Sequence, residues 1–89
     1  MTKSRAAWLV ARYLAKFVTA GQMDACKWCE EMGDYSWSYR DEPEGDDLSK
    51  LHGLALSYEE YVDSRMKTLR EMHEEARAFA TRTGPGESR

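Results

Sequence analysis

SYEEYVDSRMKTLREMHEEARAFATR, residues Ser57 to Arg82, is the longest periodic stretch of the chain and decides how the fold is read. Val62, Met66, Leu69, His73, Ala76 and Ala80 recur every three or four residues, with Tyr58, Arg65, Met72 and Phe79 flanking them. That is the period of one amphipathic helix face. Ser57 and Glu60 have the S-x-x-E spacing of a capping box, in which each side chain satisfies a backbone donor left free at a helix start. Gly84-Pro85-Gly86 ends the pattern, because glycine suits the left-handed turn after a helix and proline cannot continue one. The spacing predicts a single helix over 57–82, on the order of 38 Å long at 1.5 Å per residue. Such a helix outspans a compact domain of 89 residues, so other elements must lie along it. Homodimerisation along its apolar edge would cover what the rest of the chain leaves bare.

Upstream, Ser4 is positioned to cap a helix running to about Ala20, with Ala6, Val10, Tyr13, Leu14 and Phe17 as its apolar stripe and Leu9 and Val18 widening it. Arg5, Trp8, Arg12 and Lys16 share the other side. Trp8 is read either as a ring covered by arginine stems or as an anchor facing a partner. Gly21 ends this helix and Asp24 caps the next, through Met32; because the apolar phase runs on past Gly21, one continuous helix is the alternative.

Between these helices and the long one lies a segment with little helical period. Tyr35-Ser36-Trp37-Ser38-Tyr39-Arg40 alternates with period two, so an extended chain would put all three aromatics on one side. Asp41-Glu42-Pro43-Glu44-Gly45-Asp46-Asp47 is turn-rich and acidic. Asp46 or Asp47 caps a short helix, Leu48 to Leu54, interrupted near Gly53. The expected fold is all-α, with three or four helices. A long C-terminal helix packs against an N-terminal helical hairpin, or against one long N-terminal helix, and an irregular aromatic–acidic loop lies between. Residues 1–83 form a single domain and 84–89 a disordered tail. The expected core is Val10, Leu14, Phe17, Trp28, Met32, Leu51, Val62, Met66, Leu69 and Phe79.

Charge is segregated beneath a net −3. Residues 1–27 carry +4, residues 28–47 carry −7, and the remainder is neutral. This asymmetry speaks to partners rather than to fold. No run of eighteen apolar residues exists, which excludes a membrane-spanning helix, and Arg12 and Lys16 interrupt what could have been a signal segment. A cytoplasmic protein is expected.

Catalytic readings are poorly supported. His73 has no nearby nucleophile, no glycine-rich phosphate loop occurs, and the Glu59-Glu60 and Glu74-Glu75 pairs read as a solvated helix face. Cys26 and Cys29 have half the spacing of a zinc site, but only His52 and His73 could complete it, so two buried thiols are the expectation. No cofactor and no metal are expected. The leading reading is a non-enzymatic protein-binding module, an adaptor or inhibitor. Tyr35, Trp37 and Tyr39 would anchor it, and Asp41, Glu42, Glu44, Asp46 and Asp47 would steer it to a basic partner surface. A nucleic-acid-processing enzyme would present such a surface. Small chains of this kind are common among accessory and counter-defence proteins of mobile elements, which is a prior on size alone. The alternative is a small nucleic-acid-binding regulator that uses Arg5, Trp8, Arg12 and Lys16.

Overall fold

In the computed structural model, which describes residues 2–84, the chain folds as α1 (Lys3–Thr19), α2 (Ala25–Gly33), a single turn α3 (Tyr35–Ser38), α4 (Pro43–Glu60) and α5 (Arg65–Thr81). Among the described residues there is no strand, and the all-α expectation of three or four helices holds, with four principal helices.

The N-terminal region is a pair of helices, not one. After α1 the Gly21 N–H donates to the Val18 carbonyl at 3.0 Å and the Gln22 N–H to the Phe17 carbonyl at 2.8 Å. This Schellman closure requires a left-handed residue, and Gly21 supplies it with φ of 77°. Asp24 then caps α2, accepting from the Lys27 N–H at 3.1 Å. Thr2 rather than Ser4 caps α1, accepting from the Arg5 N–H at 3.2 Å. Ser4 is buried and donates to Glu44 Oε1 at 3.4 Å.

The single helix expected over 57–82 does not form. Its first turn belongs to α4, the chain leaves α4 at Tyr61, and a 3₁₀ turn over Val62–Ser64 leads into α5. Ser57 and Glu60 are therefore interior to the end of α4 and no capping box exists. Locally, Val62 is β-branched, and the short polar side chains of Asp63 and Ser64 compete with the helical backbone. Arg65 seals the break: its Nε–H donates to the Tyr58 carbonyl at 2.8 Å and its guanidinium lies 5.0 Å from the Tyr58 ring centroid. The reversal also returns α5 to α1, so that Met72 and Phe79 become fully buried. Burying each contributes about 2–3 kcal/mol, more than the roughly 1 kcal/mol net of each helical hydrogen bond forgone at the break.

Residues 34–47 are likewise more regular than expected. α3 forms one turn, and α4 begins at Pro43, which at the first helical turn forgoes no hydrogen bond, rather than at Asp46 or Asp47. Gly53 does not interrupt α4. Gly84 is buried; residues 85–89 of the expected tail lie outside the described residues.

The core confirms Trp28, Met32, Leu51 and Phe79, and leaves Leu14, Phe17 and Leu69 half-buried. Val10, Val62 and Met66 are corrections: they are exposed, Met66 by 77%. On α1 the buried stripe is Ser4, Trp8, Ala11, Ala15 and Val18, which shares only Val18 with the stripe expected. Packing explains the rotation. Small residues Ala11, Ala15, Ala25 and Ala76 let helices approach, and three large rings fill the volume between them. Trp8 and Phe79 centroids lie 5.2 Å apart, and Trp28 meets Phe79 edge-on at 5.8 Å. Both indole N–H groups find partners, Trp8 at Asp47 Oδ2 (2.7 Å) and Trp28 at the Ala11 carbonyl (3.1 Å).

Cys29 is fully buried in this core, and desolvation pushes its thiol from the ordinary 9.0 up to about 12, helped by the charges of Cys26 and Glu75. The unfolded chain loses this proton near the ordinary value while the folded chain holds it. Stability from this site is therefore intact below pH 9.0 and is lost as the pH rises toward about 12. Thermal melts should fall across that window, and a Cys29→Ala chain, less stable at neutral pH, should show a flatter fall.

Candidate interaction surface

α3 is a short element held rigidly, and two glycines explain how. Gly33, at the end of α2, sits so close to α4 that an added Cβ would lie 2.6 Å from the His52 backbone. Gly45, in the first turns of α4, is pressed against the Tyr39 carbonyl. Backbone bonds from Trp37 N–H to the Asp34 carbonyl (3.4 Å) and from Glu42 N–H to the Tyr39 carbonyl (3.0 Å) carry the chain through the turn. Arg40 donates to the Trp37 carbonyl at 2.9 Å.

This turn separates the three aromatics that an extended chain would have aligned. Tyr35 and Tyr39, four residues apart, stack with centroids 6.4 Å apart and planes 7° from parallel, and face α1. Trp37 points the other way and meets His52 edge-on at 5.6 Å. It is 62% exposed, an indole held against a helix yet open to solvent. Two hollows share His52, and Trp37 lines the first of them. One, of about 220 Å³, is lined by Ser36, Arg40, Asp46 and Ser49 as well as Trp37. The other, of about 270 Å³, is lined by Glu30, Asp34 and Glu59 with Ala55 and Leu56.

The expected steering carboxylates divide. Asp41, Glu42 and Asp46 are exposed. Glu44 is buried and Asp47 half-buried, so neither stands on the surface as a steering carboxylate was expected to. Glu44 is 8% exposed and accepts from Ser4; Asp47 ties three elements together. One Asp47 oxygen takes the Trp8 indole N–H, and the other lies 3.5 Å from Arg82 Nη1. That same Arg82 nitrogen lies 3.1 Å from Glu75, an ion pair out of hydrogen-bond alignment. A buried indole N–H needs an acceptor, and Asp47 is the one α4 brings to it.

The basic face read on α1 is also largely committed. Trp8 is in the core, and Arg12 lies 5.1 Å over its ring and donates to the Arg82 carbonyl at 3.2 Å. Arg5 is half-buried and Lys16 exposed. His73, expected on the apolar stripe, is exposed. Among the described residues no three His, Cys, Asp or Glu side chains gather as metal ligands. Burial raises the Cys26 thiol as well as that of Cys29, with nearby Glu30 and Asp24 adding to it, so both stay protonated at neutral pH. Thiolate chemistry is thereby opposed. No helix among the described residues is long and apolar enough to cross a membrane.

His52, Leu56 and Glu59 were missed from sequence although they follow one helical face of α4, spaced by four and three residues. The spacing is visible in the sequence, but a glycine at 53 and the S-x-x-E pattern from Ser57 divide it between two expected helices. No family model, curated protein or solved structure matches this chain.

Proposed function

We propose that the protein is a non-enzymatic binding module, an adaptor or inhibitor, that engages a basic protein surface through Trp37 and the carboxylates around it. The observation that carries this reading is the exposed Trp37 indole, edge-on to His52 in a hollow it lines with Asp46 and Arg40, while a second hollow on the His52 side is edged by Glu30, Asp34 and Glu59. An indole on a rigid turn offers large contact area at little entropic cost, the property of an interface hot spot. Carboxylates at its rim accelerate encounter with a cationic partner and penalise anionic ones. A groove that ordinarily holds nucleic acid is one such cationic partner. The inward Glu44 and Asp47 play no part in this contact, and Tyr35 and Tyr39 support it from the far side of α3.

Immobilised protein exposed to a panel of basic proteins, with acidic ones as controls, tests this. Wild type should retain basic partners in a salt-dependent manner. Trp37→Ala should weaken retention by roughly tenfold or more without altering the melting curve, because the ring is largely in solvent. A Glu30→Gln, Asp34→Asn, Glu59→Gln variant should bind more slowly and lose much of the salt dependence. Equal retention by wild type and both variants would remove this face from consideration.

A further inference from the structure

On the other side of the molecule, α1 leaves an apolar seam uncovered. Ala6, Val10, Tyr13, Phe17 and Ala20 follow one another at intervals of four, three, four and three residues, the spacing of a coiled-coil contact line. Val10 is 48% and Tyr13 60% exposed. The seam is graded in size. Its N-terminal half is small, and Lys3, Ala6, Ala7 and Val10 form, with Tyr35 and Tyr39, a groove of about 290 Å³. Its C-terminal half is a ridge, in which the Tyr13 and Phe17 rings meet edge-on at 5.1 Å.

We propose that α1 pairs with α1 of a second copy of this chain, antiparallel about a two-fold axis between Val10 and Tyr13, each ridge seated in the groove of the other copy. In that register Ala6 faces Phe17 of the second copy and Val10 faces its Tyr13, so large side chains meet small ones along the whole line. A parallel pairing sets Tyr13 and Phe17 against themselves and leaves a void at Ala6. Charge selects the same register. α1 contains four cations and no acid. Antiparallel pairing places Lys3 opposite Ala20 and Lys16 opposite Ala7, whereas parallel pairing sets each lysine against its own copy. It also carries Lys16 toward the α3 flank of the second copy, where Asp41 and Glu42 are exposed. α1, about 25 Å long and about 10 Å across, together with the single turn of α3 presents about 300 Å² of projected face per copy. That is the size of a weak, concentration-dependent contact, not an obligate one. The surface is separate from Trp37, so the dimer leaves the proposed binding face open and makes it bivalent.

Sedimentation equilibrium of the full chain tests the pairing. Wild type should show a reversible monomer–dimer equilibrium with a midpoint in the micromolar range. Val10→Asp and Tyr13→Asp should each weaken it at least tenfold while leaving the melting curve unchanged. Ala6→Phe alone should also weaken it, and Ala6→Phe combined with Phe17→Ala should restore it, since the swap re-creates large-against-small in the antiparallel register only. A wild-type chain monomeric to about 500 µM would overturn the proposal. So would a dimer that survives both aspartates but is lost on Val62→Asp with Met66→Asp, the other exposed apolar corner. A folded double variant that fails to regain the dimer would overturn the register.

Discussion

Trp28→Ala should leave the chain mostly unfolded. The ring is fully buried, donates its indole N–H to the Ala11 carbonyl of α1 at 3.1 Å, and meets Phe79 of α5 edge-on. It thus joins α2 to two other helices at the point where Ala11, Ala15 and Ala76 are too small to fill the space themselves. Large-to-alanine changes at such sites cost about 3–5 kcal/mol, because transfer energy and cavity energy are lost together. A domain of this size has only about 5 kcal/mol in total. Urea titration followed by far-UV circular dichroism should place the Trp28→Ala midpoint near zero denaturant. Trp28→Phe, which keeps a ring against Phe79 but loses the N–H, should lie between the two. A loss below about 1 kcal/mol for the alanine variant would mean that the three-ring core is misplaced.

Gly45→Ala should be nearly as damaging, in a direction opposite to helix propensity. Inside a helix, alanine is ordinarily the better residue by about 1 kcal/mol. Here the new methyl would fall on the Tyr39 carbonyl oxygen and lie 2.7 Å from its carbon. Neither atom can retreat cheaply, because that carbonyl accepts from the Glu42 N–H and closes the turn between α3 and α4. The expected loss is about 3 kcal/mol, the cost of forcing backbone apart in a packed site. Gly53→Ala, with nothing within 4 Å of the added carbon, is the control and should stabilise by about 0.5–1 kcal/mol. Equal and favourable effects at both glycines would show that α3 is not clamped as described. Because α3 carries Trp37, the Gly45 variant should also lose partner binding wherever it still folds.

These two sites show why the candidate surface was only partly legible. The aromatic and acidic character of residues 34–47 can be read directly from the sequence. Which of those side chains face outward cannot be read, because the answer depends on Gly33 and Gly45 fitting against residues nineteen and six positions away. Period-two alternation suggested three aligned aromatics; one turn of helix instead sends Trp37 to His52 and the two tyrosines to α1. Glu44 and Asp47 look like any other acids in a charged run until Ser4 and Trp8 arrive from α1 to meet them.

By itself the sequence determined what local chemistry controls. It set the helical class, the stop at Gly21, the cap at Asp24, and the burial of Trp28, Met32, Leu51 and Phe79. Tertiary structure decided the rotation of α1 and the break at residues 61–64. α1 is apolar on two sides, Trp8–Ala11–Ala15–Val18 and Ala6–Val10–Tyr13–Phe17, and periodicity does not rank them. The first side is buried because its alanines permit close approach and because Asp47 satisfies the one polar atom that Trp8 brings with it. The long periodic stretch is divided for the same reason. A straight helix satisfies its own backbone, but only a reversal at Tyr61 buries Met72 in the core and brings Phe79 to the Trp8 and Trp28 rings.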